Sequence, residues 1–183
     1  MKESRQSYYG MNFLLNALCG HRGTDAFYDQ HKADIEIFLA DLRQHLPTNY
    51  EIVFRGILLD PEIQKTNGLK ALPHLRYISF SSDPAVALEF ADLNSEMSAA
   101  MKQYRPKYQG YFIKHLATPD SIIFHHSWAE RLGLERYLQD GIETVRRQKE
   151  VMIRNDGQVF KLNPVPRGCS SVLIGTDTVR MYE

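Results

Sequence analysis

Cysteine is nearly absent from this chain: Cys19 and Cys169 are the only two in 183 residues. Two thiols are too few for a disulfide scaffold and lack the paired spacing of a zinc site, so both are expected to be reduced and structural. An excess of either charge is also missing. Lys plus Arg and Asp plus Glu number 22 each, so no global field draws the protein to nucleic acid, membrane or a polyanion, and any bound anion must be gripped locally. No stretch approaches the ~20 apolar residues that span a bilayer. The apolar run from Met11 to Leu18, ahead of Cys19, is short for an export segment and follows mixed charges at Lys2, Glu3 and Arg5. Leu18 is also a poor small-residue cleavage site. The run therefore reads as a buried helix, and the chain as a soluble, cytoplasmic protein. With no repeat, low-complexity tract or linker, residues 1–183 read as a single domain able to bury a core without disulfides.

What is present is a change of hydrophobic period. Ile35, Phe38, Leu39, Leu42 and Leu46 recur at the three-and-four spacing of one helix face, and Pro47 closes that helix. From Tyr50 the period becomes two: Tyr50, Ile52 and Phe54 alternate with Glu51, Val53 and Arg55, and Gly56 follows. Residues 1–48 are thus expected to be helical and 49–183 to be β-rich. Asp60 to His74, with Pro61, Asn67, Gly68 and Pro73, reads as loop. A strand is expected over Tyr77 to Ser81. Asp83-Pro84 then starts a helix, the carboxylate capping free backbone donors, with Val86, Phe90, Leu93 and Met97 on its apolar side. After turn signals at Arg105-Pro106 and Gly110, YFIKHL and SIIF read as strands. A polar helical stretch from Trp128 to about Arg146 leads into EVMIR, NDG and QVFKL, the pattern of a β-hairpin. Ser171 to Tyr182 supplies a last strand. The sum is an α+β domain, helices first and a mostly antiparallel β core after them.

Three segments far apart in sequence each place a polar residue at a strand end among apolar neighbours. They are EIVFRGI with Arg55, YISFSSDPAVALEFA with Ser79 and Ser81, and RRQKEVMI with Gln148 and Glu150. Each alone has an ordinary explanation: a solvated or paired arginine, a serine turn or cap, a surface glutamate. Together and in this order they resemble the Arg-Ser-Glu class of mono-ADP-ribosyltransferases, which includes clostridial and cholera-type toxins and vertebrate ecto-enzymes. The resemblance covers Tyr50 to Leu162. VFRG matches the aromatic-Arg motif of the opening strand. ISFSSDPAVALEFA matches Ser-x-Ser followed by valine-alanine and FA, with Phe80 where many members have Thr. QKEVMIRNDGQVFKL matches the third motif, with Gln148 first where arginine-modifying members usually have Glu. Within the class, QKEVMI, ALEFA and CSSV look most like the small Mod-type enzymes of T-even phages, which modify host transcription and translation proteins.

The resemblance implies a fold of two facing, mostly antiparallel β-sheets with N-terminal helices, and NAD as co-substrate in the cleft between them. It also implies release of nicotinamide and transfer of ADP-ribose to a macromolecule, expected to be a protein of the host or target cell. Breaking the bond to nicotinamide develops positive charge on the ribose, which a preorganised carboxylate stabilises; Glu150 is the candidate. Arg55 supplies the forked donors that a pyrophosphate needs, and Gly56 would let backbone approach the nicotinamide closely. By the family pattern Ser79 orients Glu150 and lines the ribose site, Ser81 supports the strand end, and Phe80 completes the cofactor-binding segment. Gln148, two residues before Glu150 on what reads as one strand, would share its face and meet the acceptor with an amide that cannot remove a proton. Trp128, Tyr137, Arg146 and Arg147 ahead of it are candidate partner contacts.

Other signals point elsewhere. His125 and His126 are adjacent, so on a strand they would face opposite ways and could not share a metal; no metal site is expected. His21, His74 and His115 are isolated. Arg146, Arg147, Lys149 and Arg154 form a basic cluster that reads as one solvated face, kept in view because some members of the class modify nucleic acids. The rival readings are a NAD glycohydrolase, a transferase acting on nucleic acid, and a binding module that keeps the fold without catalysis.

Overall fold

The computed structural model describes residues 4–62, 76–92, 108–139, 141–155, 157 and 159–165, and the backbone alone of 171–174 and 177–180. Helix α1 (Arg5–Leu18) begins where the Ser4 hydroxyl accepts the Ser7 N–H at 3.2 Å. As its apolar run predicts, Phe13 and Leu14 are fully buried. Cys19, by contrast, caps the helix as an exposed free thiol, so it is not the structural residue its scarcity suggested. Cys169 lies outside the described residues. Helix α2 (Thr24–Arg43) buries Ile35, Leu39 and Leu42 at the expected spacing and ends ahead of Pro47.

Six strands form one sheet: β1 (Glu51–Leu59), β2 (Tyr77–Ser81), β3 (Gln109–Ala117), β4 (Ile122–His125), β5 (Glu150–Arg154) and β6 (Asn163–Val165). Their order is β4-β5-β2-β1-β3-β6, and every neighbouring pair is antiparallel. The chain is therefore α+β. β1 and β3 pair along the whole of β1, from Glu51↔Ala117 to Leu59↔Gln109, and β2 and β5 pair from Tyr77↔Arg154 to Ser81↔Glu150. β1 and β2 share only the bridge Phe54↔Ser81. Two well-laced halves, β4-β5-β2 and β1-β3-β6, thus meet at one residue pair.

Each half has its own cover. α1 and α2 lie over the β2 half, where Phe13 packs edge-on against Tyr77 with centroids 5.3 Å apart. Arg43 Nε donates to the Ile122 carbonyl at 3.0 Å, and Arg154 pairs with Glu36. Helix α3 (Pro84–Ala91) lies on β1 and β3. Its start follows the expected design, with Asp83 Oδ1 accepting the Ala85 N–H at 2.9 Å and Pro84 in the first turn. A Cβ at Gly56 would come within 1.8 Å of the Ala87 carbonyl oxygen, and one at Gly110 within 2.0 Å of that of Ala91. Glycine at these two places lets helix backbone rest directly on the sheet. Leu93 and Met97, Arg105-Pro106 and most of the loop up to His74 lie outside the described residues.

Three expectations change. The QVFKL segment does not pair with β5 as a hairpin, because both edges of β5 are taken by β2 and β4; Phe160 instead packs on Phe80 and His115. The single tail strand is two, β7 (Ser171–Ile174) and β8 (Asp177–Arg180), paired as a separate sheet. The polar stretch after β4 is three short helices, α4 (Trp128–Arg131), α5 (Glu135–Leu138) and α6 (Gly141–Gln148). Positive-φ backbone at Gly133 and Gln139 separates them. No helix among the described residues is long and apolar enough to cross a membrane.

Candidate functional site

The site grows from the one bridge between the halves. In β2, Ser79 and Ser81 point to the same face by strand alternation, and Ser81 stands directly opposite Glu150, the first residue of β5. The Ser79 hydroxyl donates to Glu150 Oε1 at 2.7 Å. Arg55 lies one residue past Phe54 on β1, where the halves diverge, and its guanidinium crosses the gap to donate to the Ser79 carbonyl. A guanidinium, a hydroxyl and a carboxylate from strands remote in sequence are therefore joined through Ser79.

The electrostatics are those of a charge pair drawn out of water. Burial pushes the Glu150 carboxyl above the ordinary glutamate value, against the opposing pull of the Ser79 hydrogen bond and of Arg55. Burial lowers Arg55 from its ordinary value and Glu150 counters it. Burial disfavours the charged form of either group, while each partner's charge favours the other's.

Arg55, Gly56, Ser79, Phe80, Ser81, Gln148 and Glu150 all line one cleft of about 360 Å³, which Phe54, Ala87 and Phe90 close from the β1 side. Phe80 borders it while its own ring is buried against Phe160. At Gly56 the space of the missing side chain is filled by α3, a packing reason for glycine that the sequence alone did not suggest. A second cleft of about 390 Å³ shares Ser79 with the first and runs past Tyr77, Met152 and Arg76 to the α1–α2 turn at Gly20–Thr24. Sequence reasoning missed that turn, because a glycine-flanked helix connection carries no mark of what it faces.

Gln148 is not on a strand. It is the last residue of α6, and Lys149, with φ +46°, turns the chain so that β5 begins at Glu150. Gln148 and Glu150 nonetheless line the same cleft. Ser81 ties them to β2: its hydroxyl donates to the Gln148 carbonyl at 2.6 Å and accepts the Asp83 N–H at 2.9 Å.

Outside the cleft, some of the candidates change. Trp128 is 1 % exposed and packs edge-on against Phe124, so it belongs to the core and not to a partner surface. Tyr137 is exposed, and Arg146 is paired with Glu143 and Glu135. Lys149 pairs with Asp83 and Arg154 with Glu36, so the basic residues do not form one solvated face. His125 and His126 do not point apart. The strand ends at His125, the rings tilt together with centroids 4.5 Å apart, and with Glu51 they place ligand-type atoms within 4.8 Å of one another. The Ser127 backbone N–H donates to His125 Nδ1 at 3.1 Å, and His125 Nε2 lies 2.8 Å from Glu51 Oε2. His125 Nε2 and Glu51 Oε2 are both buried, and neither has a hydrogen-bond partner among the described residues.

No protein-family model, curated protein or solved structure matches this chain, so the site is read from its own geometry.

Proposed function

We propose that the protein is a mono-ADP-ribosyltransferase: it breaks the bond between nicotinamide and ribose in NAD and joins the ADP-ribose to a macromolecular acceptor. The observation that carries this reading is the joining of Arg55, Ser79 and Glu150 at the one bridge between the two halves of the sheet. The divergence of those halves on either side of the bridge supports an ADP-ribosyltransferase-type fold with facing sheets. The two clefts that meet at Ser79 suit an elongated dinucleotide better than a compact ligand.

In this reading Arg55 meets the negative charge of the pyrophosphate, to which a guanidinium offers forked donors. Glu150, steadied by Ser79, faces the positive charge that develops on the ribose as nicotinamide leaves with the bonding electron pair. A half-buried, preorganised carboxylate needs no rearrangement at that moment, and its field is weakened less by water than that of an exposed one. The acceptor's nucleophile then bonds to the ribose carbon and gives up its proton. Gln148, at the cleft mouth on the end of α6, is the group that meets the acceptor. Its neutral amide orients by hydrogen bonding and removes no proton. By the resemblance of its motifs the acceptor is a protein, of the transcription or translation machinery.

Incubation of the protein with labelled NAD and a cell lysate tests the reading. A labelled protein band supports it. Free ADP-ribose alone makes the enzyme a glycohydrolase, a labelled nucleic acid moves the acceptor to that class, and no turnover leaves a binding module.

A further inference from the structure

Between the two residues aimed into the cleft stands Lys149, a residue with a side chain in left-handed backbone, φ +46°. A Cβ makes that conformation unfavourable, and it persists where the surroundings enforce it. The enforcement here is explicit. The Gln148 carbonyl is held by Ser81 Oγ at 2.6 Å, that of Lys149 by the Ser82 N–H at 3.0 Å, and that of Glu150 by the His126 N–H at 2.9 Å. The Lys149 ammonium reaches back to Asp83 Oδ2 at 2.8 Å, on a side chain only 6 % exposed. The other oxygen of that carboxylate caps α3 at the Ala85 N–H.

The turn has a geometric purpose. Were α6 to continue through Lys149, Gln148 and Glu150 would stand ~200° apart around the helix axis and face opposite sides. With the turn, both line one cleft. We propose that Asp83 is a positioning residue for the chemistry: its buried carboxylate draws Lys149 into the left-handed turn and so presents acceptor-side Gln148 and Glu150 together. The inference rests on the roles given to those two residues above. It links α3, which covers β1, to the strand end that carries the carboxylate, so the two halves of the sheet are registered at the site by a charge pair as well as by a bridge.

Asp83→Asn tests it, because asparagine caps a helix about as well as aspartate while the Lys149 ammonium no longer faces a charge at Asp83. We expect kcat for nicotinamide release and for transfer to fall about ten- to a hundred-fold, the scale of a small misplacement of reacting groups, with KM for NAD within about twofold. By NMR the Gln148 side-chain amide resonances should shift and the Lys149 backbone shifts should leave the left-handed pattern. Adding Lys149→Gly to Asp83→Asn should recover much of the loss, since glycine takes positive φ without penalty. A purely structural role would lower the melting temperature and leave kcat and both sets of resonances in place; that result overturns the proposal, as does a double variant no better than Asp83→Asn alone. Glu150→Gln in the same assays separates the two questions. Full activity there removes the role given to Glu150, and the resonances of Gln148 and Lys149 still decide whether Asp83 sets the turn.

Discussion

Replacing Glu150 by glutamine should cost activity without costing stability. The amide keeps the shape of the side chain and an oxygen to accept the Ser79 hydroxyl, now 2.7 Å from Oε1; what it loses is the charge. A unit charge about 4 Å from a developing positive centre, at an effective dielectric near 20, is worth about 4 kcal/mol, or roughly a thousandfold in rate. The expected kcat is therefore lower by about that factor, with NAD affinity little changed because the charge matters chiefly in the transition state. Stability should move the other way. Burial raises the Glu150 carboxyl in the folded protein, so its favourable contribution is complete below the ordinary glutamate value and is lost as pH rises through the raised one. Above that raised value the wild type holds an ionised carboxylate that burial disfavours, and the variant does not. Thermal melts across the acid range should show the Glu150→Gln variant level with or above wild type at pH 7, lacking the wild-type decline in that window. Near-normal turnover would refute the catalytic assignment. A melting temperature several degrees below wild type at pH 7 would show that attraction to Arg55 outweighs desolvation, reversing the balance described here.

Three further outcomes follow from the same contacts. Ser79→Ala removes a hydrogen bond to a charged group, worth about 1.5–3 kcal/mol, and lets the Glu150 carboxyl rise further; kcat should fall about tenfold or more, and the acid limb of a pH–rate profile should move to higher pH. Gln148→Ala should spare NAD hydrolysis and weaken transfer, and equal loss of both in parallel assays would contradict an acceptor-side role. Gly56→Ala drives a Cβ against the Ala87 carbonyl at 1.8 Å; overpacking of this kind costs about 1–3 kcal/mol, and a calorimetric melt unchanged from wild type would count against direct seating of α3 on β1.

Local chemistry was legible in the sequence, and long-range pairing was not. The Asp83-Pro84 helix start, the buried face of α2 and the presence of strands at 50–55, 77–81 and 111–116 follow from residue type and spacing, although in the first of them Tyr50 and Ile52 are exposed and Val53 is the buried residue. So does the meeting of the cleft residues, in a limited sense: the motifs named the residues and the order of elements, while the bridge at Phe54↔Ser81 that brings them together is a property of the folded sheet. EVMIR and QVFKL have every local mark of a hairpin, yet β5 is sandwiched between partners from elsewhere in the chain, and nothing within the segment records that. Gln148 was misplaced for a related reason. A left-handed lysine has no residue-type signature of the kind glycine or asparagine gives, and its cause, Asp83, is far away in sequence. Trp128 read as a partner contact because its neighbours are polar, although the helix it opens buries it.

The seam between the two halves of the sheet has a mechanical consequence. Ladders resist parting because many backbone bonds must break at once, whereas here the backbone supplies one residue pair and side chains carry the rest: Arg55 to the Ser79 carbonyl, Glu51 against His125, and Lys149 with Asp83. At the cleft itself the join is the Arg55 side chain, whose release forfeits about the net worth of one hydrogen bond from a charged group. A guest that offers the guanidinium a better partner than the Ser79 carbonyl would exchange that one contact by the act of binding, and leave the hydrogen-bonded lattice of each half untouched.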